Sequence, residues 1–285
     1  MTGAGPLEDE LANRGNPMLA DLVRGRRWAD HCRTLEAIAW KYRTSSPWRD
    51  LPAELGSFQT AHKRLIRWAV DGTREKILTA VLATADTDDD IDWTVSVDSA
   101  VVGAHQHAAG APQKGAAGRS EPDDHALGRS RGGLSTKIHL AADGHARPLA
   151  FTVTVGQAGD APASERVMAR VLVPRTGSGR PRTRPTTVLA DRAYSSRAIR
   201  DHLRRRHIRA VIPQPSDQIG HRRRRGRRGG RPPGFDADAY KQRNTVERCT
   251  NRLKQWRGLA TRCDKLAIAY QGALHLAAIL IWTRR

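Results

Sequence analysis

The spacing of apolar positions changes along the chain, and each change marks a new segment. From 28 to 85 the spacing is helical. "WADHCRTLEAIAWKYRT" (28–44) repeats its apolar residues every three or four positions and predicts a helix. "SSPWRDLPAELGS" (45–57) is dense in Pro, Ser and Gly and predicts turns with a short helix. "FQTAHKRLIRWAVDG" (58–72) sets Phe58, Ala61, Leu65, Trp68 and Ala69 on one face and leaves Lys63, Arg64 and Arg67 outside. A helix, a turn and a basic helix predict a small helix-turn-helix-like unit over 26–88, with the three cations facing a nucleic acid. Residues 1–25 show no period and are expected to be poorly ordered.

At 93 the pattern becomes strand-like. "WTVSVDSAVV" (93–102), "LSTKIHLAAD" (134–143), "ARPLAFTVTVG" (146–156), "RPTTVLADRAY" (184–194, the strand ending at Asp191) and "IRAVIPQ" (208–214) predict five strands. Asp143–His145 between the second and third marks a hairpin turn. "APASERVMARVLVPRT" (161–176) and the Ser-capped "SSRAIRDHLRRRH" (195–207) predict helices. Three strands, helix, strand, helix, strand and two closing helices predict an α/β domain over 89–285. Two basic loops interrupt it at 111–133 and 216–235. The tail at 266–282 is apolar but short of the ~20 residues a membrane span needs, and it carries Gln271 and His275, so it predicts a buried core helix.

Charge sharpens this picture. The 285 residues carry 49 Lys plus Arg against 29 Asp plus Glu, a net charge of +20, and 39% are hydrophobic. That is enough apolar content for a core and enough positive charge to imply a polyanionic partner, nucleic acid before any other. The run "GHRRRRGRRGGRPPG" (220–234) is expected to neutralise phosphates. The three cysteines form no CxxC pair, which argues against a disulfide framework or a zinc site. The first residues lack an apolar signal core, so a cytoplasmic protein is expected.

"YKQRNTVERCTNRLK" (240–254) raises the chemical question. As a helix it puts Tyr240, Arg243, Glu247, Asn251 and Lys254 in one polar stripe and Val246, Cys249, Leu253 and Trp256 on the opposite, buried side. One carboxylate sits alone among cations. Asp98 interrupts an apolar strand, where an unpaired charge is unfavourable. Asp191 ends another strand, where α/β sheets place their chemistry. Two Asp from neighbouring strands and a Glu from a helix across them would offer hard oxygen ligands to Mg²⁺. Two such ions about 4 Å apart serve phosphodiester displacement.

With those residues in view, the chain resembles the insertion-sequence transposases of the DDE class, the IS-four superfamily and within it the IS-five family. The spacing Tyr-x2-Arg-x3-Glu-x6-Lys of 240–254 is similar to that family's signature. "VDSAVVGAHQHAAGA" (97–111) and "LADRAYSS" (189–196) resemble the surroundings of its first and second catalytic Asp, and "SPWRDLP" (46–52) resembles its N-terminal domain. The resemblance implies an RNase H-like catalytic domain, a mixed five-stranded sheet flanked by helices. It implies that Asp98, Asp191 and Glu247 bind two Mg²⁺, with Mn²⁺ able to substitute. It implies that Arg243 and Lys254 hold DNA phosphates near the scissile bond while Tyr240 packs against the DNA or the helix. Asn251 on the same stripe, His105 and His107, Arg129 and Arg131, Lys137, and Arg192 are further positions expected to face DNA. Gly103 stands where the family often has Arg. The implied activity is cleavage and strand transfer at terminal inverted repeats by a dimer or higher assembly on double-stranded DNA. A DNA-binding remnant without turnover and an RNase H-like nuclease that cuts without joining are the competing readings.

Overall fold

A computed structural model describes residues 30–110 and 121–284. The N-terminal segment holds three helices: α1 (His31–Thr44), α2 (Phe58–Val70) and α3 (Thr73–Thr87), with single turns at Trp48–Asp50 and Ala53–Leu55 between the first two. Asp30 starts α1 by accepting from Cys32 N at 2.8 Å, and Ser45 ends it in a left-handed conformation. The expectation for residues 1–25 lies outside the described residues.

The rest is built on one sheet. Its strands are β1 (Thr94–Gly103), β2 (Gly128–Ser130), β3 (Gly133–Ala142), β4 (Pro148–Val155), β5 (Thr187–Ala190) and β6 (Arg209–Val211). β1 is central, antiparallel to β3 and parallel to β5, and β6 continues in parallel beyond β5. β4 and the short β2 both pair antiparallel with β3. The longer helices of this part are α4 (Asp160–Arg170), α5 (Arg197–Arg205), α6 (Ser216–Arg224), α7 (Thr245–Lys254) and α8 (Ala267–Thr283), with single helical turns at Gln106–Ala109, Ala237–Tyr240 and Arg257–Ala260. This is the RNase H-like arrangement, with one strand more than the five expected. At the hairpin, Asp143 accepts from His145 N and Arg147 N, and a side chain at Gly144 would collide with Asp92.

Helix α8 joins the two segments. Every residue in it but Gln271 is buried. It packs on α1, α2, α3 and β4, and one hydrophobic core runs from Leu35 to Trp282. The fully buried Arg74 of α3 donates to the Gly272 carbonyl at 2.6 Å, and Trp282 Nε1 donates to the Pro148 carbonyl at 2.7 Å. Among the described residues no helix is long and apolar enough to cross a membrane.

Three expectations change. The helix beginning at Asp160 stops at Arg170 and does not reach Thr176. Val173 is drawn into an extended bridge with Arg182 (2.8 and 2.7 Å), and Val171 and Val173 are buried in the core, so tertiary packing overrides local helix preference. The described part of the first basic loop is anchored: the buried Glu121 accepts from Ala267 N (2.7 Å) and Ile268 N (2.9 Å), capping α8, and contacts His125 at 2.6 Å. The second basic loop begins as a helix, because arginine favours helix and α6 has tethers. Gln218 donates to Ser195 Oγ at 2.9 Å and Arg222 to Gln214 Oε1 at 2.7 Å.

Candidate active site

Register and strand parity assemble the site. Val97 of β1 stands opposite Ala190 of β5, so the following residues, Asp98 and Asp191, occupy equivalent positions on parallel neighbours. Strands alternate faces, so both carboxylates share a face with Ser96. Ser96 Oγ lies 2.8 Å from Thr245 Oγ1, a buried contact that seats the start of α7 on this face. The buried side of α7 is the predicted one: Val246, Cys249, Leu253 and the following Trp256 are all buried. Glu247, two residues after Thr245, lies on the exposed side of the helix and is linked to Asp98 only through Arg243. The helical path before α7 is tighter than expected, with a 3-10 turn at Lys241–Asn244.

Arg243 is the hub. Its guanidinium bonds Asp98 Oδ2 through Nη2 and Glu247 Oε1 through Nη1, the latter at 2.5 Å. Asp98 and Arg243 are each about one-fifth exposed at the side chain, and Glu247 is 54% exposed. Asp98 also accepts from Ser99 N at 2.8 Å, and Asp191 accepts from Ala193 N at 2.8 Å as the cap of the turn Arg192–Tyr194. Burial pushes the Asp98 carboxyl above its usual range. The Ser99 N–H and Arg243 pull it back, while Asp191 and Asp160 push it further up. Burial acts to lower the Arg243 guanidinium, but the surrounding Asp98, Glu247, Tyr240 and Asp191 raise it on balance. Tyr240 leans on Phe235, ring centres 5.3 Å apart.

Two contributors carried no sequence signal. Asp160 begins α4, where an acidic residue reads as a helix start. It accepts from Ser99 Oγ at 2.6 Å and from Lys137 Nζ at 3.2 Å, placing a fourth carboxylate behind Asp98. Tyr194 is buried with its hydroxyl unpartnered. Burial, then Asp160, Asp98 and Asp191, hold that hydroxyl far above its usual range. Arg243 Nε is likewise buried without a partner.

The other predicted positions scatter. Lys137 is turned inward to Asp160 and the Ala158 carbonyl (2.7 Å), so its ammonium serves the cluster from behind and is not presented to DNA. Arg64 is buried, 2.7 Å from His31 and stacked 5.2 Å from the Trp68 ring, because α2 turns that position into the helical core. Lys63 and Arg67 are exposed on α2, away from the sheet. The His105 and His107 rings meet edge to face, centres 4.4 Å apart, just past β1, where His105 accepts from His107 N. Arg129, Arg131 and Arg192 are exposed. Asn251 is exposed and Lys254 half-buried further along α7.

The carboxylates suit a hard divalent cation in type and in shared face. Among the described residues no three His, Cys, Asp or Glu side chains are close enough to hold one as they stand. The guanidinium of Arg243 lies between two of the candidates.

Comparison with known proteins gives this geometry a family. A model described as the transposase DDE domain matches residues 90–282, and one described as a putative transposase of the IS4/5 family matches residues 7–78. The chain belongs to the DDE transposases. A putative transposase for insertion sequence element IS6501 from Brucella ovis is 31% identical over 151 residues, 53% of this chain and 100% of the relative. The uncharacterized protein y4sN of Sinorhizobium fredii is 43% identical over 77 residues, 27% of this chain and 58% of its own. The solved Mos1 transposase paired-end complex with left transposon end is 12% identical with a TM-score of 0.27, over 100% of this chain and 90% of that one, too distant to bear on the fold. In this transposase the model of the DDE domain spans all three carboxylates and Arg243.

Proposed function

We propose that this transposase mobilises an insertion sequence of the IS-five type, with Tyr240, Arg243, Glu247 and Lys254 as its signature. It binds the terminal inverted repeats of the element, cleaves there and joins the freed 3′ end to target DNA. Asp98, Asp191 and Glu247 form the catalytic triad and would hold two divalent ions, Mg²⁺ or Mn²⁺. When bound, these supply Lewis-acid polarisation of the phosphate and activation of a water or 3′-hydroxyl. The observation that carries this reading is the placing of Asp98 and Asp191 on one face of adjacent strands with Glu247 tied to Asp98 through Arg243.

The protein's own groups supply the rest. Arg243 fixes the two carboxylates relative to each other, and its free Nε can be satisfied by a phosphate oxygen of the substrate strand. The Tyr194 hydroxyl offers a further donor beside the triad. Asp160 holds Ser99 and Lys137 behind β1, which keeps Asp98 in register. Lys63 and Arg67 on α2, with His105, His107, Arg129, Arg131, Arg192, Asn251 and Lys254, extend the DNA surface. Pairing two ends requires a dimer or larger assembly on DNA.

Labelled duplex carrying an element end, incubated with Mg²⁺ or Mn²⁺, tests the proposal with wild type beside Asp98→Asn. Metal-dependent nicking in wild type and none in the variant is expected. Binding without cleavage by both proteins would make the chain a DNA-binding remnant. Nicking without joining to a target duplex would reduce it to a nuclease.

A further inference from the structure

A groove of about 650 Å³ opens beside the site, between α5 and α6 and the turn that follows α6. Arg197, Arg200, Arg204, Arg222, Arg225 and Arg231 line it, opposed by the single carboxylate of Asp201. Ser195, four residues past Asp191, forms its inner edge. Like charges gathered around so large an opening repel one another unless an anion enters. Arg200 is committed to the wall, donating to the Ser195 and Ile212 carbonyls. Asp201 engages Arg204 at 2.7 Å and Arg197 at 3.5 Å, and it cannot neutralise the remainder. Arg197 and Arg204 are 96% and 77% exposed at the side chain, so their guanidinium groups stay open to solvent while sharing the one carboxylate.

The amides of the groove are occupied internally. Gln218 Nε2 donates to Ser195 Oγ and Gln214 Oε1 accepts from Arg222. The two side chains suited to reading adenine are therefore engaged, while guanidinium forks suited to phosphate remain. We infer that this groove is a second DNA-docking surface, which grips the phosphodiester backbone next to the active site without reading sequence. The inference rests on the DNA-transposase reading and adds to it a surface outside the carboxylate cluster and outside α2.

The experiment is a salt titration of binding by the full chain to two duplexes, one an element end and one scrambled. The triple variant Arg197→Gln, Arg225→Gln, Arg231→Gln should bind both duplexes about tenfold more weakly, with the slope of log affinity against log salt shallower by about 0.9 for each phosphate no longer neutralised. The ratio of affinities for the two duplexes should stay constant. The matching Lys triple should keep the wild-type slope, and both triples should keep the wild-type melting temperature. A control triple, Arg175→Gln, Arg180→Gln, Arg184→Gln, removes equal charge from another arginine-lined cleft that precedes β5 at the end away from Asp191. An unchanged slope in the groove variant, or an equal slope change in the control, overturns the inference. A loss confined to the element-end duplex would make the groove a sequence reader. Tighter binding of single-stranded RNA than of duplex, abolished by the groove variant, would reassign it to RNA. If wild type failed to distinguish the two duplexes, terminal-repeat recognition would fall while the groove's role stood.

Discussion

The carboxylate cluster and the arginine groove lie four residues apart along the chain, yet they handle charge in opposite ways. Around Asp98 the charges of Asp98, Glu247 and Arg243 are paired with one another, the Asp98–Arg243 pair is mostly withdrawn from solvent, and position comes from strand register. Around α6 the cations outnumber their partners, stand in water, and owe little to register. Half-buried paired charges are geometric devices, because losing one partner strands the other. Solvated unpaired charges act by number and are screened by salt. Single substitutions should therefore be decisive in the first region and incremental in the second.

The largest contrast is in chemistry. Glu247→Gln should lower single-turnover cleavage about a thousandfold, roughly 4 kcal/mol of barrier, while leaving DNA affinity nearly unchanged. Cleavage near the wild-type rate would remove Glu247 from the triad and erase the contrast.

Acid tests the apolar ground behind the cluster. Burial pushes His139 down to about 4 and His275 down to about 3. Both are neutral in the folded protein, whereas the unfolded chain protonates near 6.5. Stability should thus be full above that value and fall as pH drops toward 4, by roughly 3 kcal/mol or more for each histidine. Urea unfolding at pH 7 and pH 4.5 measures it. His139→Gln keeps a hydrogen-bonding side chain near Thr154 and should shrink the drop; an unaltered drop would show that His139 is not its source.

Arg243→Gln leaves Asp98 and Glu247 without their shared cation. The half-exposed Glu247 can turn to water, so the expected loss is modest, about 1–2 kcal/mol by chemical denaturation. A variant as stable as wild type would place Arg243 with the incremental cations.

The smallest effect belongs to Gly103. No atom lies within 4 Å of a side-chain β-carbon built there, so Gly103→Arg should fold with stability within about 0.5 kcal/mol of wild type. One added phosphate partner would steepen the salt slope by about 0.9. A flat response would mean that DNA does not pass the end of β1.

Much of this was legible in the residues. Alternation located the central strands, and the 3.6 period divided 245–256 into a buried face and a polar one. An apolar tail too short for a membrane announced α8. Asp98, Asp191, Arg243 and Glu247 stood out because a charge in an apolar strand, or alone in a cationic stripe, needs a reason that neighbours in sequence do not supply. Periodicity reports only which side of an element faces apolar surroundings, and it is silent on what those surroundings are.

Interactions distant in sequence decided the rest. Arg64 looked available on the polar side of α2 and is buried against His31 and Trp68. Lys137 looked like a surface cation and is held by Asp160, which itself looked like an ordinary helix start. The helix from Asp160 ends where a bridge to Arg182 prevails over it, and the arginine run becomes helical where Ser195 and Gln214 brace it. The sequence by itself determined which charges were anomalous and which elements carry them. Only the tertiary structure decided which anomalous charges meet, because strand register and helix seating are set by packing between segments far apart in the chain.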